Sequence, residues 1–255
     1  MKISTSGIGP TVVFIHGFCE NSTIWTPFRE RLEQKYQVVL IDLPGHGGSP
    51  IESQEFTIDA IADKVHTSLK EQGNEKYFVI GHSLGGYVSL ALAQNYADQV
   101  LGFGLFSSTT YPDTAEKKKA RVKLQGFLEE HGVQVFMDSF VPNLFSPANR
   151  VKMHSEIAIL KHIGSKVSIN TIVAYSLAMK DRPDRTHVLA DFSKPRFIVT
   201  GADDGAVPLE VSQKMMELVP TENTLLLDGV GHNGFVEAKA ESLEFIELFL
   251  DRNIG

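Results

Sequence analysis

Cysteine occurs once in these 255 residues, at Cys19, so no internal disulfide can form and a structural zinc site built on cysteines is excluded. No stretch approaches the ~18 consecutive apolar residues of a membrane-spanning helix. The first ten residues, MKISTSGIGP, lack the apolar run of a signal peptide. Positive charge is not in surplus either. The 24 Lys and Arg face 31 Asp and Glu, and the net charge of −7 attracts neither nucleic acid nor an anionic membrane. The nine histidines include no H-E-x-x-H, and His154 and His162, eight apart, form no recognised ligand pair, so no metal site is expected. Gly7-x-Gly9 and Gly102-x-Gly104 lack the third glycine and the following helix of a dinucleotide fingerprint, and read as turns or close packing. No internal repeat or low-complexity segment is present. What remains is the profile of a cytoplasmic protein with a small-molecule ligand. At roughly 150 residues per domain the length corresponds to about 1.7 domains, which suits one large core with an insertion.

Short continuous apolar runs alternate with helix-period segments. Thr11–His16, Gln37–Asp42, Lys76–Gly81, Val100–Ser107, Arg196–Gly201 and Asn223–Gly229 read as strands covered on both faces. Thr57 caps a helix whose stripe is Ile58, Ile61, Ala62, Val65 and Leu69, and Gly73 stops it. Thr26-Pro27 and Pro208 open two others, and the last helix buries Leu243, Ile246, Phe249 and Leu250. This alternation predicts an α/β fold with an open, mostly parallel, doubly wound sheet.

One interval breaks the rhythm. Between Ser107 and Arg196 no convincing strand appears, while Gln125–Phe136, Pro147–Ile163 and Lys166–Met179 read as helices. A structureless loop of that size is improbable in a compact domain, so 109–193 is expected to be a helical insertion into a core of 1–108 and 194–255. Its run EKKKARVK, Glu116–Lys123, reads first as a solvated helix face and second as a surface for an acidic ligand or partner.

The strongest chemical signal is Gly81-His82-Ser83-Leu84-Gly85-Gly86, set between a buried-type strand and an apolar helix. That is the context of a G-x-S-x-G nucleophile elbow, in which the tight turn demands glycine on both sides and holds the serine Oγ exposed. A serine becomes nucleophilic only beside a base, and the base needs an orienting carboxylate. Asp203-Asp204 and His232 follow two later strands, at the strand ends where ligand-site residues collect in open α/β sheets. Serine, acid, histidine is the resulting chain order.

Together these segments resemble the α/β-hydrolase fold superfamily, in its serine-nucleophile, carboxylesterase-like branch. The likeness runs from His16-Gly17-Phe18 through Asp42–Ser49 (DLPGHGGS) and Gly81–Gly86 to Gly201–Pro208 (GADDGAVP) and Gly231-His232. The resemblance implies a triad of Ser83, Asp204 and His232, the acid being the fourth residue of the G-x-x-D-x-x-x-P loop. Phe106–Pro112, the alternative acid position in some relatives, contains no carboxylate. It further implies an oxyanion hole made by the backbone N–H groups of Phe18 and Leu84, with His16 ordering the loop and His46 and His82 in conformational roles. The insertion is expected to form a lid over the sheet's C-terminal edge. Trp25, Tyr87, Tyr111, Phe140, Phe145, Met153 and Met179 are then candidates to line an apolar substrate pocket. Arg182 and Asp184 are expected to pair and anchor the lid, and Cys19 reads as a small buried filler, with an oxidation-sensitive thiol as the other reading.

The expected activity is hydrolysis of a small ester, thioester or related acyl substrate, with no cofactor. Ser83 argues against the dehalogenases and epoxide hydrolases of the superfamily, which use an aspartate nucleophile. Carbon–carbon bond hydrolases and the menaquinone-pathway synthase share the triad and are the enzymatic alternative. A ligand receptor with a slow triad is the alternative of another class. Only ten residues precede Thr11, so at most Lys2–Ser6 can add a strand, and the sheet edge is expected to be shortened.

Overall fold

The computed structural model describes residues 1–51 and 56–255. Seven strands, β1 (Lys2–Ser6), β2 (Thr11–Ile15), β3 (Gln37–Asp42), β4 (Tyr77–His82), β5 (Val100–Phe106), β6 (Arg196–Gly201) and β7 (Thr224–Leu227), form one sheet in the order β1-β3-β2-β4-β5-β6-β7. Only β1 runs antiparallel, against β3 (Ile3 opposite Ile41), and it supplies the single lead-in strand expected from Lys2–Ser6. β2 and β4 are buried at every position, which is why their sequences are continuously apolar rather than alternating. β7, at the other edge, is covered only in part.

The helices α1 (Thr26–Leu32), α2 (Ile58–Glu71), α3 (Leu84–Asn95), α8 (Leu209–Met216), α9 (Gly234–Glu237) and α10 (Lys239–Asn253) belong with the sheet. In α2 the Thr57 side chain accepts from the Ala60 N–H at 3.1 Å, satisfying one of the donors that a helix start leaves free. The predicted stripe Ile58, Ile61, Ala62, Val65 and Leu69 is buried. Between β5 and β6 stand α4 (Ala115–Phe140), α5 (His154–Ser165), α6 (Ile169–Asp181) and α7 (Thr186–Asp191). The first begins ten residues earlier than Gln125, with Thr114 as its cap, and takes in the whole Glu116–Lys123 run. It is broken at Gly132, whose φ of 79° lies outside the helical region. Among the described residues no helix is long and apolar enough to cross a membrane.

The chain leaves β2 for β3 on one side, then crosses to β4 on the other and continues outward. The loops after β2 and β4 therefore part company, and the crevice they leave at the carboxyl ends of the strands is where open α/β sheets bind ligands. The positions of Phe18 and Ser83 follow from this topology.

Gly102-x-Gly104 on β5 is a packing device. A methyl group on Gly104 would overlap the ring of Phe197, and one on Gly102 the ring of Phe78. Those two rings stack on each other at 6.0 Å with an interplanar angle of 9°. Overpacking a filled core costs about 1–3 kcal/mol. Gly104→Ala is expected to lower Tm by roughly 3–10 °C, and adding Phe197→Leu should recover part of that loss. Calorimetry of the single and double variants measures both.

Candidate active site

Ser83 sits between the end of β4 and the first turn of α3 with φ 50° and ψ −111°, a conformation that costs a non-glycine residue about 1–3 kcal/mol. Its neighbours leave no alternative. A Cβ on Gly81 would overlap the backbone of Gly85 and Gly86, and a Cβ on Gly85 would overlap the Ile15 carbonyl. Ser83 is fixed by its N–H donating to the Phe106 carbonyl at 2.9 Å and by its own carbonyl, which accepts from Ser108 Oγ at 2.7 Å and from the Gly86 N–H at 2.9 Å. The turn thus gains in hydrogen bonds part of what its backbone strain costs.

At the end of β7 the chain brings His232 to Asp204 from the loop after β6. His232 Nδ1 lies 2.7 Å from Asp204 Oδ2, and the other oxygen, Oδ1, accepts from the N–H groups of Ala206 and Val207 at 2.8 and 2.9 Å. Both side chains are buried. Burial opposes the charged imidazolium, but the Asp204 charge and hydrogen bond outweigh it and raise the His232 pKa above the ordinary histidine value. Burial likewise opposes the Asp204 carboxylate, while His232 and the two backbone N–H groups hold its pKa below the usual range. Asp203 is turned elsewhere and accepts from Ser146 Oγ at 2.7 Å.

The loop after β2 is held by two neutral histidines. His16 Nε2 accepts from the Leu43 N–H at 3.0 Å, and His46 Nε2 accepts from the Cys19 N–H at 3.3 Å. Burial lowers both pKa values, that of His46 to about 3. The Gly17 N–H donates to Glu20 Oε2 at 2.6 Å. Gly17 and Cys19 are therefore engaged, whereas among the described residues the Phe18 N–H between them has no protein acceptor. The N–H of Leu84, at the start of α3, has none either. Cys19 is buried, with burial pushing its thiol pKa well up, which suits packing and not reactivity.

Ser83, His232 and Phe18 line one cavity of about 280 Å³. Of the seven residues expected in an apolar pocket, Tyr87, Phe140 and Met179 line it, and Phe140 meets the Phe18 ring edge-on at 6.0 Å. The other four do not. Trp25 is a core residue, wholly buried against Phe14, Phe28, Phe106 and Phe235. Phe145 is buried, Met153 precedes α5, and Tyr111 is engaged through its backbone, its carbonyl accepting from Arg182 at 2.9 Å and its N–H donating to Thr109 Oγ1 at 3.2 Å. Aromatic and sulfur content does not reveal which way a side chain faces, and that is the reason for these misplacements. Arg182 also has a different partner from the one expected. Its Nη1 donates to Asp113 at 2.8 Å and its guanidinium lies over the Tyr87 ring at 4.1 Å, while Asp184 accepts from the Thr186 N–H.

Three residues that the sequence did not single out for this site are central to it. Glu20, buried beneath the loop after β2, faces His82 Nδ1 at 2.9 Å, and His82 Nε2 faces the His232 carbonyl at 3.1 Å. Both ring nitrogens face oxygen atoms, so the ring bridges the loop after β2 and the loop that carries His232. Burial opposes the Glu20 carboxylate, but His82 and the Gly17 N–H keep its pKa below the usual value. Glu237 takes the Gly231 N–H on one oxygen and the Ser146 N–H and Asn149 Nδ2 on the other, tying the histidine loop to the helical insertion. Asp113 holds Arg121 and Arg182. None of the three stands in a recognisable local pattern, because each is defined by a partner distant in the chain.

Residues 10–143 match the family model of the alpha/beta hydrolase fold. RutD of Escherichia coli O150:H5 (strain SE15), named for carbamate hydrolysis, is 28% identical over 91% of this chain and 89% of its own. The 2-(acetamidomethylene)succinate hydrolase of Mesorhizobium japonicum is 24% identical over 98% of this chain and 91% of its own. Among solved structures, a thermophilic esterase from Thermogutta terrifontis, with malate bound, superposes with a TM-score of 0.93 at 25% identity, covering 100% of this chain and 94% of that one. Sheet order, the turn at Ser83 and the family match agree: the chain belongs to the α/β-hydrolase fold family.

Proposed function

We propose that the protein is a serine hydrolase of small esters, thioesters or related acyl compounds, working through an acyl-enzyme on Ser83. The observation that carries this reading is the convergence on one cavity of a strained serine and a histidine whose far nitrogen is bound to a buried carboxylate. Ser83 Oγ attacks the acyl carbonyl as His232 Nε2 takes its proton. Asp204 fixes the tautomer that leaves Nε2 free and stabilises the imidazolium. The N–H groups of Phe18 and Leu84, which lack protein acceptors, receive the oxyanion, each such donor being worth about 3–4 kcal/mol in the transition state. His232 returns the proton to the leaving group, then activates water to release the acyl group. The helical insertion acts as the lid, its Phe140 and Met179 meeting substrate together with Tyr87 of α3.

Fluorophosphonate labelling is expected for the wild type and absent in Ser83→Ala, with kcat on nitrophenyl esters down by at least about 10⁴. Equal labelling of the two proteins rules out Ser83 as nucleophile. The base must be neutral to accept a proton, and its pKa is raised. Activity should therefore rise with pH through a midpoint above the ordinary histidine value of about 6.5. Asp204→Asn removes the main group that raises it and leaves burial, which lowers it, opposed only by the more distant Glu20. The midpoint should move to lower pH while kcat falls by roughly 10⁴. A pH–rate profile of kcat/KM for both proteins tests the sign.

Glu20 supports the same mechanism from beneath. Glu20→Gln preserves shape and removes the charge that His82 faces, and is expected to lower kcat about 10-fold or more with little change in KM. An unchanged kcat would reduce Glu20 to a packing residue.

A further inference from the structure

The same cavity has a charged wall. The run Glu116–Lys123 lies on α4, and helical geometry divides it into two faces. Lys117, Ala120, Arg121 and Leu124, spaced three and four apart, line the cavity, whereas Lys118, Lys119 and Lys123 face solvent. Lysine and arginine four residues apart on one helix repel each other slightly, an arrangement without benefit to the helix itself.

The cations at this wall are not balanced. Among the described residues Asp113 is its single carboxylate apart from Asp204, and both of its oxygens are engaged: Oδ1 by Arg182 Nη1 at 2.8 Å and Oδ2 by Arg121 Nε at 3.0 Å. Because Arg121 uses Nε for that contact, its two terminal amino groups have no protein acceptor among the described residues. Lys117 Nζ donates to the Ala206 carbonyl at 2.8 Å and, among the described residues, stands in no ion pair. Asp204 is committed to His232, Ala206 and Val207. Three cations thus meet one carboxylate, and two of them are presented to the space next to Ser83 and His232. Partial burial, together with Arg182 and Arg121, depresses the Lys117 pKa against the pull of Asp113 and Asp204, a cost that an arriving anion would relieve.

We propose that the substrate carries a carboxylate that docks between Arg121 and Lys117, so that the enzyme acts on anionic acyl compounds such as half-esters of dicarboxylic acids. The planar end of Arg121 matches a carboxylate in two parallel hydrogen bonds, and Lys117 adds a point charge one helical turn away. The apolar part of the wall, Phe136, Phe140, Leu144 and Met179, takes the intervening methylenes. A cavity of about 280 Å³ limits that chain to a few carbons. The assignment of a substrate rests on the serine-hydrolase reading, but the anion site itself can be measured without turnover.

Mono-4-nitrophenyl glutarate and 4-nitrophenyl pentanoate have acyl chains of equal length and differ in the terminal carboxylate. The wild type should favour the glutarate half-ester by about tenfold or more in kcat/KM, mainly through KM, and the preference should shrink as salt is added. Arg121→Gln and Lys117→Gln should each reduce the ratio of the two kcat/KM values by about fivefold or more, whatever they do to the neutral ester. In parallel, glutarate binding to the wild type and Arg121→Gln is measured by calorimetry. Binding weakened about tenfold in the variant, even with neither ester turned over, keeps the anion site and overturns the hydrolase reading. Turnover of both esters without preference, and no glutarate binding, overturns the anion site and leaves the hydrolase reading standing. A ratio unchanged in both variants also overturns it.

Discussion

Three loops from separate parts of the chain must hold a common geometry at this site, and the buried contact between Glu20 and His82 ties them. Glu20 Oε2 holds the Gly17 N–H of the loop after β2, and His82, the residue before Ser83, spans from Glu20 to the His232 carbonyl. One buried contact thus sets the loop that presents the Phe18 N–H, the turn that presents Ser83 and the backbone of His232. Removing one member of a buried pair typically costs 3–5 kcal/mol, because the other is left uncompensated.

Backbone strain is concentrated in the same place. Among the described residues, the non-glycine positions with positive φ are Cys19, Ser83 and Ser107, which follow β2, β4 and β5. Each is buried or nearly so and follows a strand whose residues are almost all buried, so the sheet can hold it out of its preferred region. The packing of β2, β4 and β5 therefore bears directly on the site. The close contact that glycine permits between β5 and Phe197 belongs to the same framework that keeps Ser83 in its turn.

Much of the sheet is readable in the sequence because burial on both faces leaves short, continuous apolar runs rich in β-branched residues. The turn at Ser83 is readable because two glycines with backbone packed against them have no substitute. Long-range pairing leaves no such mark. Glu20 follows Cys19 with no periodicity, and its partner is 62 residues away. Asp113 looks like a loop carboxylate until Arg182, 69 residues on, folds back onto it. The start of α4 is not legible because Ala115–Lys123 carries no apolar stripe, its cavity-facing positions being Lys117, Ala120 and Arg121. Size and aromaticity suggest a pocket position for Trp25, yet the residues that bury it come from four other elements of the chain.

The helical insertion shares apolar core with the sheet and is also joined to it by polar contacts, some of which touch the site. Arg182 binds Asp113 and covers Tyr87 of α3, Arg185 binds Asp59 of α2 at 2.5 Å, and Tyr175 donates to the Pro44 carbonyl at 2.9 Å. Glu237 connects Ser146 and Asn149 to Gly231, and the His232 N–H itself donates to the Leu144 carbonyl at 2.7 Å. A shift of the insertion therefore cannot leave His232 undisturbed. Directional hydrogen bonds resist sliding in a way that apolar contact does not, so the position of α4 over the cavity and the orientation of the imidazole are set together. The insertion that lines the cavity also sets the geometry of the histidine inside it.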